Sequence, residues 1–310
     1  MRLRRVAAIS VAAAAVGITL TAAVSPTPPA DPPVSLPALT PHGLSARYAA
    51  TSRAIDRAAR AAARAGDPGQ ARTLEAMDRG HFLGFDASGQ GEAVEVLGNL
   101  ATARRVAILV PGSDTSLATF DSRGTASPDG GARALAAQAH RLDPGGRLAI
   151  IAWLGYRTPS LLSPAVLTSG NAGQGAQALR PLVISLAQRG DQVALLCHSY
   201  GSVVCGLAAP GLPVTDIAVY GSPGMDAASV TSLHTAARVW AGREAGDWIR
   251  HVPHIRLLGL GFGTDPMSAS FGARRFGCGR DGHSSYLQPG SVSLRNLAYI
   301  ALGDPAKVTR

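Results

Sequence analysis

Five short apolar runs recur through the chain, at residues 106–110, 148–153, 192–197, 217–220 and 237–240, and segments between them, at 131–142, 176–188 and 201–209, carry apolar residues at helical spacing. Runs this short and this continuously apolar read as strands buried on both faces. Strand and helix in alternation require right-handed crossovers, so the expected fold class is α/β, a mostly parallel central sheet with helices on both faces. Two further runs, 82–85 and 93–97, lie either side of a Gly-containing turn and read as a hairpin leading into that sheet. Ligands of such sheets bind at the carboxyl ends of the strands, which is where chemistry is sought below.

Ahead of the alternating region the character of the chain changes twice. Residues 1–23 combine a basic start (Arg2, Arg4, Arg5) with an apolar run and small residues at Thr21, Ala22 and Ala23, the pattern of a secretory signal peptide. A retained anchor is the competing reading, although Ala, Gly and Thr make the run weakly apolar. Residues 24–39 are rich in proline and read as an extended tether, and residues 40–80 read as two helices broken near Gly66, Pro68 and Gly69. Residues 81–310 are then expected to form the main α/β domain, the one in which chemistry is sought. The expected location is secreted or cell-envelope associated.

Removal of residues 1–23 takes the formal charge from +9 to +6. The basic residues, such as Arg57, Arg60, Arg64 and Arg72, are scattered without interleaved aromatics, so a solvated helix face is expected and no nucleic-acid partner. Weak attraction to anionic envelope surfaces is compatible with that charge. The three cysteines, Cys197, Cys205 and Cys278, allow at most one intramolecular disulfide. The first two fall in a core strand and a core helix and are expected to act as small buried apolar residues, a bridge involving Cys278 being the second choice.

The run 192–197 leads directly into His198-Ser199-Tyr200-Gly201-Ser202 and then into a helix-like segment. A sharp strand-to-helix turn of this kind lifts a serine hydroxyl above the sheet, and it demands small residues two positions before and after the serine. Gly201 meets the second demand, and Cys197 stands at the first in place of glycine. Ser199 is therefore the candidate nucleophile. His198 adjoins it, but successive residues at a tight turn point apart, so His198 is read as a packing or elbow-shaping residue.

A serine hydroxyl needs a base within hydrogen-bond reach, and an imidazole serves near neutral pH. His283 follows a segment, 273–278, that reads as the last strand, and Gly282 before it permits a tight bend. His234 sits in a helix-like stretch, and His251 and His254 lack a third metal ligand. The orienting acid should lie between nucleophile and base. Asp216, Asp226, Glu244, Asp247, Asp265 and Asp281 are available; Asp247 follows the run 237–240 after a short loop and is preferred, with Asp265 in reserve.

Acyl transfer also needs two backbone donors for the oxyanion. The Tyr200 amide is one, and the amide of Ser113 or Asp114, in the loop after residues 106–110, is the other. Residues 155–175, with Leu161, Leu162, Val166 and Leu167, are placed to form a small lid or pocket wall, which hints at a lipid-like acyl substrate. No cofactor and no metal are implied, and oligomeric state is not legible.

Pro111-Gly112, Trp153-Leu154-Gly155-Tyr156, His198-Ser199-Tyr200-Gly201-Ser202, Gly221-Ser222-Pro223-Gly224, Phe271-Gly272-Ala273 and Gly282-His283-Ser284-Ser285-Tyr286 together resemble the actinobacterial α/β-hydrolase family once labelled a domain of unknown function, DUF1023. The resemblance runs from about Phe82 to Gly303. It implies the α/β-hydrolase fold and a serine triad that maps onto Ser199, Asp247 and His283, with Cys197 standing where glycine is usual. It implies no substrate. The expected activity is hydrolysis of an ester or related acyl bond by an exported serine hydrolase. A non-catalytic hydrolase-like binding or envelope protein, and a peptidase or amidase of the same fold, are the alternatives, since a fold does not by itself carry a function.

Overall fold

The computed structural model describes residues 37–122, 124–254 and 260–310. The signal-peptide expectation and most of the proline-rich tether lie outside the described residues. The end of that tether is docked on the fold: Leu39 is buried, its carbonyl accepts from Arg189 Nη1, and the Pro37 carbonyl accepts from Arg47 Nη1.

Two helices follow, α1 (Pro41–Arg64) and α2 (Pro68–Met77). Each has an oxygen-bearing cap, Thr40 and Asp67, and a proline in its first turn, where a missing N–H costs nothing. The hairpin is β1 (His81–Asp86) with β2 (Glu92–Leu97). The remaining strands are β3 (Arg105–Val110), β4 (Leu148–Leu154), β5 (Gln192–His198), β6 (Asp216–Tyr220), β7 (Arg238–Gly242) and β8 (Arg274–Arg275). They form one eight-stranded sheet in the order β1-β2-β4-β3-β5-β6-β7-β8, antiparallel at the hairpin end and parallel from β4 onward.

The crossovers carry α3 (Leu117–Phe120), α4 (Pro128–Leu142), α5 (Gly170–Gln188) and α6 (Gly201–Ala208), and α7 (Val292–Leu302) closes the chain. Side chains of β3 divide by parity. Val106, Ile108 and Val110 join the core with α5 and α6, whereas Ala107 and Leu109 join the core with α4 and α7. This two-sided burial is why the strands read as continuous apolar runs. Each fully buried Leu or Val contributes roughly 1.5–3 kcal/mol from apolar transfer. Among the described residues no helix is long and apolar enough to cross a membrane.

The last strand departs from expectation. Instead of spanning 273–278, β8 pairs with β7 only at Arg274 and Arg275. Beyond Phe276, whose amide donates to the Ala241 carbonyl, the backbone turns to the C-terminal tail. The Gly277 amide donates to the Thr309 carbonyl, and Asn296 Nδ2 donates to the Gly277 carbonyl. The ladder stops because those groups find partners elsewhere.

Candidate active site

The turn from β5 to α6 holds Ser199 at φ 51°, in the left-handed region that a non-glycine residue rarely occupies. The Ser199 amide donates to the Tyr220 carbonyl of β6, which fixes the turn against the neighbouring strand. A β-carbon at Gly201 would lie 2.5 Å from the Val110 carbonyl oxygen and 2.6 Å from that of Pro111, so glycine there is a packing requirement.

Cys197 and Cys205 are joined by a disulfide, and Cys278 is the free, buried cysteine. This corrects both expectations for the cysteines. The elbow doubles α6 back along β5, bringing the residue two before Ser199 against the helix, and the spacing of eight between the two cysteines matches that return. Burial pushes the Cys278 thiol up, assisted by the Glu244 and Asp247 charges.

His283 lies between Ser199 and Asp247. Its Nε2 is 2.9 Å from Ser199 Oγ, and its Nδ1 is 2.9 and 3.0 Å from the two Asp247 carboxylate oxygens. A carboxylate can only accept, so Nδ1 carries the proton and Nε2 faces the serine hydroxyl as an acceptor. Asp247 is fully buried. Burial pushes its carboxyl up, but hydrogen bonds from His283, Tyr286 and the Ile249 amide outweigh that and hold it below the ordinary carboxylate value.

Three neighbours of this arrangement carry no role in the sequence reading. The Tyr286 hydroxyl donates to Asp247 Oδ2 at 2.5 Å and accepts from the Glu244 amide. Its signal was the position three residues after His283. The Trp248 ring, partly exposed, packs 4.7 Å from the His283 ring. Gly221, at φ +57°, lies so close that a β-carbon would sit 3.0 Å from Asp247 Oδ2 and 3.1 Å from His283 Cε1.

His198 points away from Ser199 Oγ. Its Nε2 donates to the His283 carbonyl at 2.8 Å, and its ring stacks on Tyr220. Burial first, and then the adjacent His283 imidazole, pull its imidazole down to about 3, so it is neutral and holds the His283 backbone.

The loop after β3 passes directly over the nucleophile: a β-carbon at Gly112 would lie 2.7 Å from Ser199 Cβ. The Asp114 amide is not free to meet an oxyanion. Asp114 adopts φ 56°, which turns its N–H to the Pro159 carbonyl at 3.0 Å, while its carboxylate accepts from the Leu161 amide. Of the two donors expected from this loop, Asp114 is thereby removed and Ser113 remains.

Residues 155–175 are pinned at several points, and of them Leu161 alone lines the cavity over Ser199, so the pocket wall expected from the whole segment is reduced to that residue. Tyr156 donates to the Pro111 carbonyl, Thr158 to the Thr115 carbonyl and Tyr200 to the Thr168 carbonyl. The alternative site residues lie elsewhere. Asp216 forms a bidentate pair with Arg238 and accepts from Trp240 Nε1, Asp265 pairs with Arg243, and His254 Nδ1 donates to the Pro223 carbonyl. A cavity of about 340 Å³ opens over Ser199, bounded by residues 109–115 and 125–128, Leu161 and the segment from His283 to Leu287.

A parallel sheet with a serine at its central strand-to-helix turn defines the α/β-hydrolase class of fold. The model of the alpha/beta-hydrolase family matches residues 86–257, more than half of the chain, and the chain belongs to that family. An uncharacterized protein of Mycobacterium tuberculosis (strain ATCC 25618 / H37Rv) is 33% identical over 250 residues, covering 69% of this chain and 37% of that relative's length. An uncharacterized protein of Mycobacterium bovis is 38% identical over 91 residues, covering 28% of this chain and 34% of the relative. Among solved structures, a Xanthomonas campestris protein described as an α/β serine hydrolase without lid is similar over 72% of this chain and 94% of its own, at 14% identity and a TM-score of 0.44.

Proposed function

We propose that this protein is an exported serine hydrolase that cleaves an ester or related acyl bond through an acyl-enzyme. The observation that carries the reading is the relay from Asp247 through His283 to Ser199 Oγ, with 2.9 Å at each imidazole nitrogen. In acylation, Ser199 Oγ attacks the substrate carbonyl carbon while His283 Nε2 takes its proton. The buried Asp247 carboxylate stabilises the imidazolium, and the Tyr200 and Ser113 amides donate to the oxyanion. His283 then returns the proton to the leaving alcohol. Water, activated by the same nitrogen, attacks the acyl-enzyme and releases the acid.

Export rests on the character of residues 1–23 and is supported by the Cys197–Cys205 bridge, since disulfides persist in oxidising compartments. A DUF1023-type assignment rests on the motifs quoted above. Steady-state hydrolysis of p-nitrophenyl acetate tests the activity: the wild type turns it over and Ser199→Ala falls to background. Equal rates from the two proteins refute the mechanism.

A further inference from the structure

His283 sits on an outward loop: Gly279, Arg280, Asp281 and Ser284 are exposed, between the buried Cys278 and Tyr286. A base on such a loop stays 2.9 Å from its serine when the backbone is tied down, and a misplacement of about 1 Å costs roughly 10²-fold in rate. At the base itself, His198 Nε2 donates to the His283 carbonyl. Ahead of it, the tie is a side chain that the relay does not use. Glu244 Oε2 accepts from the Asp281 amide at 3.1 Å, two residues before His283.

Glu244 is buried and touches both loops of the relay. Its carbonyl accepts from the Asp247 amide at 3.1 Å, and its amide donates to the Tyr286 hydroxyl, which in turn donates to Asp247. The Ser293 hydroxyl, in the first turn of α7, lies 3.2 Å from Oε1. The loop backbone runs hard against the acid. A β-carbon at Gly279 would lie 2.9 Å from Glu244 Oε2, and one at Gly246 would lie 2.6 Å from the Asp281 carbonyl oxygen. The main chain of Glu244 thus holds the loop of Asp247, while its side chain holds the loop of the base. A carboxyl is a costly way to fill this space: burial pushes it up, more than the Asp281 amide and the Ser293 hydroxyl pull it down, and the Asp281 and Asp247 charges add to the rise. What an apolar side chain of the same size lacks is an acceptor for the Asp281 amide.

We infer that Glu244 is a positioning residue of the catalytic site, fixing His283 through the Asp281 amide and coupling its loop to that of Asp247. The inference rests on the serine-hydrolase reading and adds to it a residue outside the Ser199, His283 and Asp247 relay. Reach is what the role demands, since the acceptor must stand where Oε2 stands. Glutamine supplies one there. Aspartate keeps the charge but stops one methylene short, and methionine has a similar length without the oxygen.

Glu244→Gln, Glu244→Asp and Glu244→Met are compared with the wild type in kcat and KM on p-nitrophenyl acetate, and by NMR of the His283 Nδ1 proton in protein carrying isotope-labelled histidine. Glu244→Gln is expected to stay near the wild type in both. Glu244→Asp and Glu244→Met should each lose about 10²-fold in kcat with KM little changed, and the Nδ1 proton signal should broaden or vanish. Near-UV circular dichroism identifies the folded variants, and Glu244→Met, which buries no charge, keeps the comparison open if Glu244→Asp fails to fold. A purely structural role would lower stability and leave kcat and the Nδ1 signal of the folded variants unchanged, and that result would overturn the inference. So would a Glu244→Gln that falls as far as the other two. If the wild type proves inert on the ester while its Nδ1 signal still disappears in Glu244→Met, positioning stands and the ester-hydrolase reading fails.

Discussion

The Tyr286 hydroxyl donates to Asp247 Oδ2 at 2.5 Å, on a carboxylate whose two oxygens also face His283 Nδ1. A buried carboxylate with one partner would be poorly compensated; here it accepts from a phenol, an imidazole and the Ile249 amide, and so stays charged inside the protein.

Tyr286→Phe removes a donor from that carboxylate and strands the Glu244 amide. A loss of about 1–3 kcal/mol in urea denaturation is expected. Asp247 lies below its ordinary value, so its contribution to stability is present above the unfolded carboxylate pKa and is lost as pH falls through the folded value. The gap between variant and wild type should therefore narrow as the pH is lowered through that range. A gap that widens on acidification contradicts this.

Asp247→Asn keeps the shape of the pair but no longer holds Nδ1 protonated or stabilises the imidazolium. The fall expected in kcat on p-nitrophenyl acetate is about 10³–10⁴-fold, with KM little changed. A loss of less than tenfold would remove Asp247 from the mechanism.

How much of this was legible beforehand follows from physical range. Sheet strands buried on both faces announce themselves as runs such as 192–197, and the elbow is local, since Ser199 and Gly201 meet its demands within a few residues. Ser199, Asp247 and His283, singled out by their order after successive strands, are brought together by the fold. Interactions that depend on how α6 returns along β5, or on where a loop amide turns, left no local trace. Hence the cysteine pairing and the engagement of the Asp114 amide with Pro159 went unread, as did the length of β8, which the C-terminal tail decides.

The cysteine pairing can be counted. Under denaturing, non-reducing conditions one thiol per chain should titrate, Cys278, and three after reduction. Replacing Cys197 and Cys205 together by alanine should cost about 2–3 kcal/mol, as expected for a loop this short. Three thiols before reduction would refute the bridge.

Glu95 gives a pH signature of opposite sign to Asp247. Burial, then the charge and hydrogen bond of Asp129, raise its carboxyl from 4.5 to about 8, against the pull of Arg133. A raised pKa means its contribution is full below the unfolded value and is lost as pH rises through the folded one. Glu95→Gln should thus match wild-type stability at pH 5 and exceed it at pH 9. Parallel stability curves for the two proteins would rule this out.

The most direct measurement is labelling by a fluorophosphonate probe followed by peptide mass spectrometry. The wild type is expected to carry one label, on Ser199, and folded Ser199→Ala none. Undiminished labelling of that variant, or a wild type that stays unlabelled while folded, would contradict the assignment of Ser199 as an activated nucleophile.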